Sequence, residues 1–299
     1  MNDYVIRVTA ANGFIRGFAA RTTDLVQEAQ RLHGLSPVAS AALGRAMTAA
    51  AMLGVDMKGE KDTLSLIIKG DGPLGSIVVV ATSGGKVKGY VANPKVDLPL
   101  NAHNKLDVST AVGKKGKITV IKDLGLKEPY IGQADLMSGE IAEDVAYYLT
   151  VSEQQPSAVA LGVLVNPDCT VKAAGGFIIQ ALPGAPEDVI AAIEEKISSS
   201  PSISRQFDEG KSPEEVLEGI LGQHGMQVKA VMDVQFKCDC NRERLKYILM
   251  SMDEKEFIDI IENDKRAEVV CHYCSKKYIF EQDELKEMLE QRRRNEENL

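Results

Sequence analysis

Cys238-Asp239-Cys240 and, 30 residues further on, Cys271-His272-Tyr273-Cys274 set the character of the C-terminal end of this 299-residue chain. They hold four of its five cysteines. Two short thiol pairs brought together offer a tetrahedral sulfur shell, which suits zinc at about 2.3 Å per bond. C-x-x-C on a hairpin is a common zinc knuckle, and the less usual C-x-C makes the pattern more distinctive. Cys238, Cys240, Cys271 and Cys274 are therefore the candidate ligands of one zinc ion. The module they would close is about 60 residues long, a size at which a hydrophobic core alone is marginal. A structural zinc ion contributes roughly 10–16 kcal/mol to such a module at neutral pH, so its folding is expected to depend on the metal. Thiolates are also oxidisable, and the two cysteines of each motif are near enough to become disulfide partners. The chemistry permits a switch in which oxidation, metal loss and unfolding are linked.

Working outward from the cysteines, the module is taken as residues 232–299, ending in a charged tail. Leu245, Ile248 and Leu249 give one helix an inner face. Asp253 caps a second, with Glu256 as its box partner and Phe257, Ile258 and Ile261 turned inward. Residues 267–270 and 277–280 form a hairpin around the C-x-x-C. From about residue 282 a charged helix carries Leu285, Met288 and Leu289.

Upstream, Leu182-Pro183-Gly184-Ala185-Pro186 has the breakers of a domain boundary. Residues 182–231 then read as a helical connector. Its first helix places Val189, Ile190, Ile193 and Ile197 on one face. Ser212-Pro213-Glu214-Glu215 is a capping box that opens a second, with Val216, Leu217, Ile220 and Leu221 apolar. These two stripes need a surface to lie on, and the body of the preceding domain is the expected one. They are the candidate switch and client-binding surface.

Residues 1–181 read as an α+β core domain. Strand-like runs at 4–9 and 14–19 flank the turn pair Asn12-Gly13. Residues 23–32 have helical spacing closed by Gly34, and Ser36-Pro37 opens a second helix, rich in Ala and Met and nearly uncharged. Runs at 64–69, 77–81 and 87–91 suggest an antiparallel meander. Further strands are expected at 117–122, 158–165 and 172–180, and a helix at 141–150.

With 44% apolar and 26% charged residues the composition is that of an ordinary globular protein. The N-terminus has neither the basic nor the apolar region of a secretory signal, and no apolar run reaches the roughly 18 residues of a membrane span. A cytoplasmic protein with no membrane partner is expected. The net charge of −8 opposes a nucleic-acid surface. Arg292-Arg293-Arg294 reads as a solvated helix end. His272 adds nothing to a shell that four sulfurs complete, and His33, His103 and His224 are too scattered to ligate together. Cys169 reads as a small turn or core residue. Gly70-Asp71-Gly72-Pro73-Leu74-Gly75 lacks the Lys-Ser/Thr of a P-loop and is taken as a turn. No nucleophile–base set stands out, and a closed four-sulfur shell has no open position for substrate. An enzyme is not expected.

The cysteine pattern, together with Gly70-Asp71-Gly72-Pro73-Leu74-Gly75 and Gly89-Tyr90-Val91-x-Asn93-Pro94, resembles the 33 kDa chaperonin family, the bacterial redox-regulated heat-shock chaperones. Gly139-Glu140-Ile141-Ala142-Glu143-Asp144, Tyr148-Leu149 and Ser152-Glu153-Gln154-x-Pro156-Ser157 match as well. The resemblance covers nearly the whole chain, to about residue 290. It implies an ATP-independent holdase, inactive when reduced and zinc-bound. Oxidants such as peroxide would convert the ligands into Cys238–Cys240 and Cys271–Cys274 disulfides. The zinc module and connector would lose structure, and a surface for unfolding client proteins would be uncovered on a homodimer. Two other classes compete with this. A zinc-ribbon nucleic-acid binder is opposed by the charge and by the lack of a basic–aromatic face. A dithiol oxidoreductase is opposed by a C-x-x-C that does not open a helix after a strand.

Overall fold

The alternating residues at the N-terminus form a hairpin. In the computed structural model, which describes residues 2–297, β1 (Tyr4–Ala10) and β2 (Ile15–Arg21) pair antiparallel across a tight turn at Ala11–Gly13. α1 (Thr23–His33) stops at Gly34, whose φ of +55° is left-handed and strained for any residue with a Cβ. The Ser36 hydroxyl then accepts from the Ala39 N–H and Pro37 starts α2 (Pro37–Val55). Contrary to the sequence reading, α2 is long and apolar enough to cross a membrane. Its place explains the composition: 89% of that stretch is buried inside the protein.

The expected meander is present as β3 (Thr63–Lys69), β4 (Ser76–Thr82) and β5 (Lys86–Val91), all antiparallel. The short α3 (Val108–Val112) precedes β6 (Lys117–Asp123) and β7 (Tyr130–Asp135). α4 (Ala142–Val151), β8 (Ser157–Val165) and β9 (Val171–Ala181) follow. Then come α5 (Glu187–Ser199), α6 (Ile203–Asp208), α7 (Pro213–Leu221), β10 (Gln227–Asp233) and the two-residue β11 (Gln235–Phe236). Neither α3, β7 nor α6 was expected from the sequence.

Two sheets hold these strands, one antiparallel throughout and ordered β10-β1-β2-β9-β8, the other ordered β11-β5-β4-β3-β6-β7 with β11 parallel to β5. α2 touches strands of both, so the main core lies around it. That core takes Val5, Phe18, Leu161, Val163 and Ile178 from the first sheet, and Leu64, Leu66, Ile77 and Val79 from the second. The alternate residues of the first sheet, among them Ile6, Val8, Ile15, Ala19, Phe177 and Ile179, face the other way into a second core. That face would be a large exposed apolar surface if nothing covered it. The fold is α+β, as read from the sequence.

Two motifs of the N-terminal domain have structural work to do. The Asp144 carboxylate, fully buried, accepts from the backbone N–H groups of Met137, Ser138, Gly139 and Ile141 and so ties down the entry to α4. Glu153 accepts from Tyr148 Oη at 2.9 Å and pairs with Lys122.

The chain divides into two compact units, Met1–Lys237 and Cys238–Leu299. The break therefore falls later than the sequence reading, which closed the connector at 231 and began the module at Met232. Met232 pairs with Val5, and Val234 is buried in the main core. Residues 232–236 alternate in strand fashion, Met232, Val234 and Phe236 facing inward.

The second unit contains α8 (Arg242–Met250), α9 (Glu254–Asp259), β12 (Arg266–Val270), β13 (Lys277–Glu281) and α10 (Gln282–Glu297). β12 and β13 pair antiparallel. Leu245, Leu249, Phe257, Ile261, Ala267, Tyr278, Phe280, Leu285 and Met288 make its core. Ile248, expected to face inward, is 53% exposed, because it lies off the stripe that Leu245 and Leu249 form at i, i+4 spacing. Ile258 is only half-buried and does not join the cluster. Asp253 caps α9 by accepting from Lys255 N–H, without the reciprocal Glu256 contact of a capping box.

Candidate metal centre

Cys238 and Cys240 lie on the extended segment that leads into α8, whose first turn is capped by the Asn241 side chain accepting from Arg244 N–H. Cys271 and Cys274 lie on the turn between β12 and β13. There Cys271 N–H donates to the Lys276 carbonyl and Ser275 N–H to the Cys271 carbonyl, with Ser275 in the left-handed region at φ +58°. The hairpin register that pairs Val270 with Lys277 holds this knuckle.

The fold brings together all four cysteines expected to act as ligands. Their Sγ atoms lie within 4.8 Å of one another. Cys238 and Cys271 are 3.7 Å apart and Cys240 and Cys274 3.4 Å apart, both contacts joining one motif to the other. A tetrahedral ion held at about 2.3 Å from each sulfur requires edges of roughly 3.8 Å. The donor set therefore fits a thiophilic metal ion. The alternative of four thiolates without a cation is untenable. Two unit charges 4 Å apart repel by about 4 kcal/mol at the effective dielectric of a protein surface, and the cluster contains six such pairs.

In the thiol form burial pushes Cys238 up to about 11 and raises Cys274 as well. At Cys240 burial acts in the same sense, but the Tyr278 hydroxyl and the neighbouring thiols outweigh it and hold the group below an ordinary thiol. A bound cation reverses this logic, because its charge stabilises every thiolate at once. His272 is not among the ligand atoms of the cluster.

Sequence reasoning missed Tyr278. Its hydroxyl lies 3.3 Å from Cys240 Sγ and 3.1 Å from the Cys240 carbonyl, to which it donates. It links β13 to the C-x-C segment and is 6% exposed. The available signal was alternation along β13, which turns Tyr278 and Phe280 inward. Arg242 adds a second tie, its guanidinium lying over the Phe280 ring at 4.3 Å and pairing with Glu284 at the start of α10.

The connector residues divide into two groups. On α7 Val216, Leu217, Ile220 and Leu221 are all buried against the outward face of the first sheet. Gly17 makes this approach close: a Cβ there would meet Val8 at 2.9 Å and Leu221 at 3.3 Å. The expected Ser212–Glu215 capping box is present. On α5 only Ile193 is buried, at 4% exposure, while Val189, Ile190 and Ile197 are half-buried. Beside them a cleft of about 260 Å³ remains between α5 and the sheet, lined by Ile15, Ile179, Ile190 and Ile197 among others.

Comparison with known proteins is consistent along the whole chain. The family model described as Hsp33 protein matches residues 3–281. The 33 kDa chaperonin of Thermoanaerobacter sp. is 50% identical over 289 residues, spanning 97% of this chain and 98% of that protein. That of Acetivibrio thermocellus is 51% identical over 285 residues, 95% and 96% of the two chains. That of Bacillus subtilis is 48% identical over 289 residues, 97% and 99%. The crystal structure of the 33 kDa chaperonin (heat shock protein 33 homolog) of Thermotoga maritima superposes with a TM-score of 0.91 at 42% identity, covering 97% of this chain and 98% of that one. With the fold, the four-cysteine cluster and these relatives in agreement, the chain belongs to the Hsp33 family.

Proposed function

We propose that this protein is a redox-regulated, ATP-independent holdase, a chaperone rather than an enzyme, working in the cytoplasm. Its resting form holds one zinc ion on Cys238, Cys240, Cys271 and Cys274. The observation that carries the reading is the closed four-sulfur cluster in a unit with a small core of its own. Zinc bound there supplies a fourfold cross-link between the C-x-C segment and the knuckle, which suits a structural role.

Activation consumes the donors. Four thiolates give up four electrons and form two disulfides, while two molecules of peroxide take up those electrons with four protons and leave as four of water. The cluster places every sulfur within reach of every other, and the pairing Cys238–Cys240 with Cys271–Cys274 follows the family resemblance. A unit deprived of its cross-link at this size loses most of its folding free energy. The chain runs from β11 into Cys238 with a single residue between them, so unfolding of the module acts first on β11 and β10, the strands that separate it from the connector helices. Loss of α5 and α7 from the sheet would expose both their stripes and the apolar face beneath, the kind of surface that unfolding clients seek. The active form is a homodimer, with neither nucleic acid nor membrane as partner.

The test follows zinc release, thiol content and suppression of client aggregation together during peroxide treatment. One zinc per chain, released in step with four thiols and with the onset of suppression, is the expected result. Suppression at full strength by the reduced, zinc-loaded protein would refute the regulation. No suppression in either state would refute the holdase.

A further inference from the structure

β8 is an edge strand of the first sheet, bonded to β9 on one side only. Which of its backbone groups face outward follows from β9. Ala174 gives its carbonyl to Thr22 N–H and takes the Thr23 hydroxyl at its own N–H, both on the side away from β8. Ala174 stands opposite Val163, so this is a pair without mutual hydrogen bonds, and Val163 turns its N–H and C=O to the open edge. Alternation puts those of Leu161 and Val159 there as well. Among the described residues no backbone partner reaches them from another element.

This edge is not flat against solvent. A cleft of about 570 Å³ runs along it, lined by five consecutive residues of β8, 161–165. Consecutive residues project to opposite faces of a sheet, so a cleft that touches all five follows the edge itself. One wall is the start of α6, where Ile203 and Ser204 press so close to Gly162 that a Cβ there would clash at 2.7–2.8 Å. The other is the segment from Leu100 to Leu106, backed by Arg45. The lining includes Arg45, paired with Glu140, Arg205, paired with Glu209, Asp208, paired with Lys172, and Lys105. Arg45 Nε is buried without a hydrogen-bond partner, and Lys105 makes no ion pair among the described residues.

We propose that the β8 edge is a strand-addition site that takes an extended, acidic segment of unfolded polypeptide by backbone pairing. This rests on the holdase reading and names what such a client presents. Five edge residues span roughly 13 Å, enough for the outward groups of Leu161 and Val163 to pair with a strand. The recessed position selects the occupant. A second folded copy would bring its own α6 and 100–106 segment against these walls, whereas a lone strand fits between them. Pairing through main-chain groups is tolerant of sequence, as a chaperone requires, and the unpaired charge of Lys105 adds a preference for Asp and Glu. Because α6 lies between α5 and α7, release of the connector would widen the cleft.

The experiment uses the full chain after peroxide oxidation. Its probe is a fluorescein-labelled heptapeptide of alternating Val, Thr and Glu, beside an analogue N-methylated at alternate residues, which keeps the side chains but cannot pair. Anisotropy should give at least tenfold weaker binding of the methylated analogue. Lys105→Glu, an exposed change, should weaken the unmethylated peptide at least threefold. Equal binding of the two peptides, or no effect of Lys105→Glu, would overturn the proposal. So would Val163→Pro, which deletes an outward N–H, if it left peptide binding intact or altered only the oligomeric state in light scattering. Aggregation of a chemically unfolded enzyme, measured in parallel, separates the two readings. Suppression without a methylation effect refutes the edge site alone, while a methylation effect without suppression refutes the holdase alone.

Discussion

Ile193→Asp isolates the step on which the proposed switch depends. Ile193 is the one buried residue of α5, and its neighbours Val189, Ile190 and Ile197 are half-buried beside an open cleft. Removing a fully buried isoleucine forfeits about 2 kcal/mol of burial. A carboxylate in the same position, facing Ile15 and Ile179, adds at least about 2 kcal/mol of uncompensated desolvation. The sum, about 4 kcal/mol, corresponds to roughly a thousandfold rise in the population with α5 detached. At 13 residues α5 is too short to be stable by itself in water, so detachment means unfolding. α7 should loosen less than α5, because it buries four apolar residues of its own although they share one cluster with Ile193, and the main core around α2 shares no residue with this interface.

The assay is hydrogen exchange on the reduced, zinc-loaded variant, with client aggregation measured on the same sample. Protection of the α5 amides should fall by about three orders of magnitude while α2 and the zinc module keep theirs. Aggregation should be suppressed without any oxidant. A variant whose α5 amides exchange freely, whose zinc is retained and which nevertheless leaves aggregation unaffected would refute connector release as the activating event. Retained α5 protection would refute the energetic argument instead.

Cys238→Ser removes one corner of the sulfur shell and should reduce zinc affinity at least a hundredfold, loosening residues 238–297 while Met1–Lys237 stays folded; collapse of both units together in proteolysis would contradict their independence. In the wild-type protein all four thiols of the cluster should resist alkylation until a chelator is added, with one zinc per chain, and free reaction of two or more of them in the metal-loaded form would refute the ligand assignment. Asp144→Ala strips the shared acceptor from four backbone N–H groups, two of them in buried contacts, and should cost about 3–5 kcal/mol of stability in urea denaturation. A loss below about 1 kcal/mol would mean that water or a shifted α4 replaces the carboxylate.

The cysteine cluster was legible because chemistry restricts it: few arrangements other than a metal shell call for C-x-C and C-x-x-C in one small module. Tyr278 was not legible in the same way, because its link to Cys240 exists only once β13 folds back on the C-x-C segment, and no local spacing records that return. The connector lies between these cases. Its capping box and two apolar stripes could be read residue by residue, yet four equal-looking positions on α5 carry unequal burial. The difference comes from the sheet beneath, which sets the β1–β2 hairpin beside β9 from much later in the chain. The same cause hid the domain end. Residues 227–231 read as connector and 232–233 as module until β1, at the other end of this unit's sequence, offered an edge to pair with. That pairing has a mechanical consequence. β10 belongs to the sheet on which the connector helices lie, while β11, which follows it and directly precedes Cys238, joins the other sheet. On the proposed switch, loss of the zinc module would have to loosen β11 and β10 before it reaches the connector helices that cover the apolar surface.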